Sequence, residues 1–190
     1  MRNPFLIGPT CYLRALEPED APLIAAANND PEVRVSFFTH TPLSVHLAAE
    51  RARGYYAPGS DHYPLAICLR RDNQAVGLTG LVRVDLVSGA AVFYIVIVDA
   101  TVRGRGIGVQ TTQLVLDYAF NVLNLHRVQL HVWVENEAGI QAYRKAGFVE
   151  EGRLREAMKH NGKWCDFLVM GVLEAEWRSR RKSEVRRQRQ

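Results

Sequence analysis

Apolar positions along the chain switch several times between a period of two and a period near 3.6, and the switches outline the elements. An extended run over Thr10–Ala15 comes first. Glu17-Pro18-Glu19-Asp20 then places a proline and acids where a first helical turn favours them, and the Ala/Leu-rich stretch behind it predicts a helix to about Asn29. Asp30-Pro31 ends that helix. Ser44 is placed to cap a second helix, Val45 to about Arg53, reached through a loop Val35-Ser36-Phe37-Phe38-Thr39 whose two aromatics suggest a contact surface. Three strands follow, Tyr63–Arg70, Ala75–Asp85 and Ala90–Val98, with turns at Asp72-Asn73 and Ser88-Gly89, which reads as an antiparallel meander. The third is almost wholly apolar, as a strand covered on both faces should be.

Beyond the glycines at 104, 106 and 108 the period is helical, with Val115, Tyr118, Ala119 and Val122 on one face, and predicts a helix to about Asn124. Arg127–Val134 is a strand, and Glu137–Ala146 a helix stopped by Gly147. Asn161-Gly162 marks a hairpin between about Gly152–Lys159 and Trp164–Leu173. The resulting order describes one mixed-sheet α/β domain, mostly antiparallel, with about seven strands flanked by helices.

Composition narrows the class. With 47% apolar and 23% charged residues in 190, the chain can bury a core as a single domain without disulfides. Its 24 basic and 20 acidic residues leave +4, a figure that invites a nucleic-acid reading. Seven of those bases and one acid lie in residues 178–190, so this tail carries +6 and residues 1–177 carry −2. We therefore divide the chain into a domain, 1–177, and a basic tail, 178–190. The longest stretch free of both charged residues and histidine, Leu86–Val98, has 13 residues. That is short of the roughly 20 that span a bilayer, and the N-terminus has no secretory apolar run. A cytoplasmic protein without membrane contact is expected. Cys11, Cys68 and Cys165 are far apart and without metal-ligand spacing, which points to reduced, packed thiols and no metal.

Arg103-Gly104-Arg105-Gly106-Ile107-Gly108 lies between an apolar strand and an amphipathic helix. Amides from Arg103 to Val109, a helix dipole and missing Cβ atoms suit a pyrophosphate, which Arg103 and Arg105 could supplement; glycines alone would equally suit a plain connection. The spacing is neither that of a dinucleotide fingerprint nor that of a P-loop. Further on, Asn136 ends a strand and Tyr143 follows seven residues later, which at about 100° per residue is nearly the same helical face.

Arg103-x-x-Gly106-x-Gly108, followed by Asn136-x-x-Gly139-x-x-x-Tyr143-x-Lys145-x-Gly147-Phe148, resembles the two signature blocks of the GNAT acetyltransferase superfamily. The C-terminal run Glu151-Gly152-Arg153-Leu154-Arg155-Glu156, Asn161-Gly162-Lys163-Trp164-x-Asp166 and Glu176-Trp177 is similar to the Rim-type branch, which includes ribosomal-protein N-terminal acetyltransferases. The resemblance implies a GNAT fold and acetyl-CoA as co-substrate. It implies that Val96, Ile97 and Val98 on a splayed strand hold the thioester, and that Arg103, Gly104, Arg105, Gly106, Ile107, Gly108 and Val109 hold the pyrophosphate. Asn136 would order the CoA arm, and Tyr143 would protonate the departing sulfur. For the base, His131 comes first and Glu135 competes with it or with a water chain. The acceptor implied first is a protein N-terminal amine. Alternatives are a small-molecule amine (polyamine, aminoglycoside or amino-acid-like) or a CoA- or RNA-binding module without catalysis. Val92-Phe93 stands where many relatives carry an acid, which counts against a polyamine, and Phe37, Phe38 and Trp133 would meet a less charged acceptor. The tail could contact rRNA or another anion, and a homodimer stays open.

Overall fold

The computed structural model describes residues 1–37 and 39–188, without the side chains of 35–37 and 184–188. Its centre is an eight-stranded sheet formed by β1 (Leu6–Ile7), β2 (Cys11–Ala15), β3 (Tyr63–Leu69), β4 (Ala75–Asp85), β5 (Ala90–Ile97), β6 (Arg127–Trp133), β7 (Val149–His160) and β8 (Lys163–Leu173). The order across the sheet is β1-β2-β3-β4-β5-β6-β8-β7. Every pairing is antiparallel except β5 with β6. The eighth strand, absent from the sequence reading, is β1: two residues paired to Tyr12 and Leu13 are too few to show a period.

Helices α1 (Ala21–Asn29), α2 (Pro31–Phe37) and α3 (Val45–Gly54) precede the meander, α4 (Ile107–Asn121) and α5 (Glu137–Ala146) flank β6, and α6 (Glu174–Gln188) closes the chain. Strand alternation divides the core between the two faces of the sheet. Leu13, Phe93, Val115, Leu130 and Met170 belong to the α4/α5 side, whereas Tyr12, Ile24, Ala48, Leu78 and Val96 belong to the α1/α3 side. The entry to α1 is locked by a buried pair. Arg14 donates to both oxygens of Asp20 at 2.6 and 2.8 Å, and Asp20 also accepts the Glu17 N–H. Both charges are only 6% exposed, so losing one partner would leave the other buried without compensation.

Several boundaries differ from the expectation. Residues 18–20 form a separate 3-10 turn before α1. Asp30-Pro31 stops α1 and also starts α2, because Asp30 Oδ1 accepts the amides of Glu32 and Val33 at 2.8 and 3.0 Å while proline suits a first helical position. The expected loop Val35–Thr39 is therefore helical to Phe37; the Phe37 side chain and Phe38 lie outside the described residues. Helix α4 ends at Asn121, and the Leu123 and Val122 amides both close on Tyr118 O. Strand β7 begins at Val149, three residues before the expected start, with register shifts at Glu150/Gly152 and Leu154/Met158. All three cysteines are buried and free.

The last helix crosses the division at 177/178. Trp177 is buried against Phe120, with ring centroids 5.4 Å apart, and the Arg178 and Arg181 guanidinia lie 5.8 and 5.0 Å from its ring. Arg181 also pairs with Asp117, and Arg178 with Glu174. The first bases of the tail are thus held against the domain.

Candidate active site

The parallel junction of β5 and β6 is short. Ala90, Ala91 and Val92 pair with Arg127, Val128 and Gln129, after which the two strands separate although each runs on. The split opens into a cleft of about 750 Å³ reached by the N-termini of α4 and α5 and, across the sheet, by Glu32 and Val33 of α2.

Backbone direction along β5 decides which amides face the gap. The Val98 N–H donates to Val76 O at 2.9 Å, towards β4. Alternate residues of a strand bond to opposite sides, so Val96 also faces β4, and Ile95 and Ile97 face the gap left by β6. This corrects the expectation for Val98, whose amide is taken and whose side chain packs with the α1/α3 core. Of the three expected residues, Val96 and Ile97 line the cleft, as does the unforeseen Ile95.

Gly106, at φ +80°, is the N-cap of α4 and supplies no side chain to its free amides. The first in-helix donor is Gln110, bonded to Gly106 O at 3.0 Å, so the N–H groups of Ile107, Gly108 and Val109 have no acceptor in the helix. A Cβ at Gly104 or Gly106 would meet nothing within 4 Å, so the approach to those amides is open. An anion of pyrophosphate size fits such a cradle. The two arginines differ from expectation. Arg103 borders the cleft, but its guanidinium donates to the carbonyls of Ile97 and Val98 at 3.1 and 3.3 Å and stands 3.7 Å from Glu32, which pins the strand end to the loop. Arg105 is exposed and does not border the cleft, and the Ile107 side chain is buried in the core, leaving only its amide for the site.

Asn136 caps α5: its Oδ1 accepts the Gly139 N–H at 3.0 Å, and its own N–H bonds Trp133 O at 2.9 Å. A Cβ at Gly139 would lie 2.7 Å from Asn136 Nδ2, so glycine here admits the cap. One turn on, Tyr143 stands half-buried in the cleft wall, edge-on to Phe93 and Phe148 with centroids 6.3 and 6.0 Å away. Burial pushes its phenol up to about 12, so it stays protonated at any physiological pH. No described side chain binds its hydroxyl, which leaves the proton available to a molecule in the cleft.

The two candidate bases separate. Glu135 and Trp133 border the cleft, whereas His131 is exposed on β6 opposite Val169 and does not. Strand alternation puts His131 on the side of Trp133, but the cleft begins nearer the end of β6. Sequence reasoning also missed Glu32. It looked for an acid on β5, while the structure brings carboxylates from α2 and from the residue two beyond β6; the signal was Asp30-Pro31-Glu32, a helix start taken only as a helix stop.

A split sheet with an uncapped helix N-terminus on one side and a phenol on the other is the arrangement of an acyl-CoA acyltransferase. Residues 11–149 match the acetyltransferase (GNAT) domain family, and the chain belongs to it. Spermidine N(1)-acetyltransferase of Vibrio cholerae is 30% identical over 168 residues, 88% of this chain and 95% of that protein. The crystal structure of spermidine N-acetyltransferase from Vibrio cholerae in complex with CoA and spermine superposes with a TM-score of 0.81 at 29% identity, covering 88% of this chain and 97% of that one. The putative ribosomal N-acetyltransferase YdaF of Bacillus subtilis is 29% identical over 172 residues, 87% of this chain and 92% of that protein. The protein is an acetyl-CoA-dependent N-acetyltransferase; spermidine N-acetyltransferases are among the relatives it resembles over nearly their whole length, and the Rim-type branch that the C-terminal motifs suggested is not specifically supported. Among the described residues no helix is long and apolar enough to cross a membrane.

Proposed function

We propose that the protein acetylates a small polyamine-like primary amine. The observation that carries this reading is the similarity, over nearly nine-tenths of the chain, to spermidine acetyltransferases, one of them solved with spermine. Glu32 and Glu135 support it by supplying two carboxylates to the cleft, the kind of side chain a multiply charged amine calls for. Bound acetyl-CoA supplies the activated acyl group. The α4 amides of Ile107, Gly108 and Val109 hold its pyrophosphate, and the Ile97 amide faces the thioester carbonyl from the gap in the sheet. Tyr143 donates its proton to the departing sulfur and recovers one from solvent. Asn136 acts by fixing α5, so that Tyr143 keeps its place.

The test is CoA-thiol release with spermidine, a monoamine of equal length, aminoglycosides and N-terminal peptides. Spermidine is expected to exceed the peptides in kcat/KM by about tenfold or more, because an acceptor without further ammonium groups leaves the cleft carboxylates without a partner. Preference for peptides would overturn the reading and favour the activity that YdaF's name describes.

A further inference from the structure

Beside its acid, Tyr143, the cleft has Glu135 as a candidate to take the proton that an acceptor ammonium must lose before it can attack, but that carboxylate is exposed and is assigned above to holding the amine. His131 lies outside the cleft. A second titratable cluster stands beside it on the α1/α3 side. Tyr94 is on β5, two residues beyond the last pair with β6; it lies outside the cleft lining itself, as does His62, but is the side chain next to cleft-lining Val96 on the same face. Its hydroxyl lies 3.0 Å from His62 Nε2. His62 is packed edge-on by the rings of Tyr55 at 4.8 Å and Tyr94 at 5.5 Å, and both members of the pair are half-buried. Among the described residues, the titratable groups around the pair include Asp61 next to His62 in the chain, Tyr55 after α3 with Arg51 behind it, and Tyr56 on the side of Tyr94.

We propose that Tyr94 and His62 form the proton-accepting relay of the acceptor site, with the Tyr94 hydroxyl facing the amine and His62 acting through it. The proposal rests on the acetyltransferase reading of the cleft and adds to it the route by which the acceptor becomes a nucleophile. With its proton on Nδ1, the neutral imidazole accepts the Tyr94 O–H. As the ammonium gives a proton to the Tyr94 oxygen, the phenol proton passes to Nε2, leaving a neutral amine and an imidazolium. The amine nitrogen then bonds the acyl carbon while the C–S bond breaks. The proton the nitrogen still has to shed balances the one Tyr143 gives to sulfur, and the imidazolium returns its proton to solvent. One proton is released per turnover, as an ammonium substrate requires. Burial holds the His62 imidazole below the ordinary histidine range, so it is neutral and ready at pH 7 and loses this capacity as pH falls through its pKa.

The experiment measures kcat/KM against pH for wild type, His62→Gln and Tyr94→Phe, using whichever amine the wild type acetylates fastest. It includes an NMR titration of the imidazoles in the free protein. Each variant is expected to lose about a hundredfold in kcat/KM for the amine at pH 7, within the range of general-base catalysis, with acetyl-CoA affinity held within about twofold. The acid-side fall in the wild-type profile should vanish in His62→Gln. The resonance absent from that variant should titrate upward in Tyr94→Phe, because the neutral imidazole loses its donor. Unchanged rates and profile in a folded Tyr94→Phe overturn the relay, even if His62→Gln fails to fold. Failure of spermidine alongside turnover of another amine would overturn only the acceptor class.

Discussion

Two helices point their N-termini at the same cleft, and they end in opposite ways. Helix α4 starts at Gly106, which carries no capping side chain, and its first three amides are left to whatever occupies the gap. Helix α5 starts at Asn136, whose carboxamide turns back onto the Gly139 amide and closes the terminus from within. Both dipoles are alike in sign and comparable in size. A helix N-terminus is therefore not in itself an anion site: one residue, glycine or asparagine, decides whether the positive end is offered to a ligand or used to hold the helix.

The sharpest way to break the contrast is to give α4 the cap it lacks. Gly106→Asp would place a carboxylate over the free amides and force a Cβ into the left-handed region at φ +80°. Acetyl-CoA affinity, read by calorimetry, should fall about a hundredfold, ~2.7 kcal/mol, which is the loss of one or two charge-assisted contacts. Gly106→Ala carries only the backbone strain, about 1 kcal/mol, and should fall between that variant and wild type.

Next in size is a change that leaves both termini intact. Tyr143→Phe should lower kcat by about tenfold to a hundredfold, in keeping with loss of a general acid, with acetyl-CoA affinity within about twofold of wild type. Because burial raises the phenol to about 12, any alkaline fall in the wild-type rate at lower pH must come from another group and should persist in Tyr143→Phe. A fall that disappears with the hydroxyl would show that the phenol ionises in the working range.

The two helix starts were unequally legible in the sequence. The glycine spacing and Asn136-x-x-Gly139 are local signals set by backbone conformation, so both helix starts can be read from the sequence. The sheet order was less accessible, because the early departure of β6 from β5 depends on long-range pairing that no periodicity records. Arg103 shows the limit at one residue. Its type and position suggested a phosphate contact, but its guanidinium donates to the carbonyls of Ile97 and Val98 at the end of β5. Glu32 shows another, since Asp30-Pro31 serves at once as the end of one helix and the start of the next. The basic tail looked separable on charge alone; Trp177 against Phe120 and Arg181 with Asp117 hold its beginning on α4.

Removing the cap from α5 tests the other half of the contrast. Asn136→Ala should cost about 1 kcal/mol of stability, which for a chain of this size lowers Tm by roughly 2–4 °C, while acetyl-CoA affinity changes far less than in Gly106→Asp. If the affinity fell as much as in the Gly106 variant, Asn136 would be a ligand contact and the contrast would fail.

The smallest effect should come from Gly139→Ala, and its sign is the informative part. Alanine favours a helix interior over glycine by about 1 kcal/mol, so at an unconstrained position the change would stabilise α5. Here the new Cβ would stand 2.7 Å from Asn136 Nδ2, and the carboxamide would have to swing off the Gly139 amide. The propensity gain and the lost cap are of similar size, so thermal stability should stay within about 1 kcal/mol of wild type. In an Asn136→Ala background the clash is gone, and the same substitution should raise Tm. That reversal would show that the glycine is required by the cap and not by the helix, which is the sense in which α5 spends its N-terminus on itself and α4 does not.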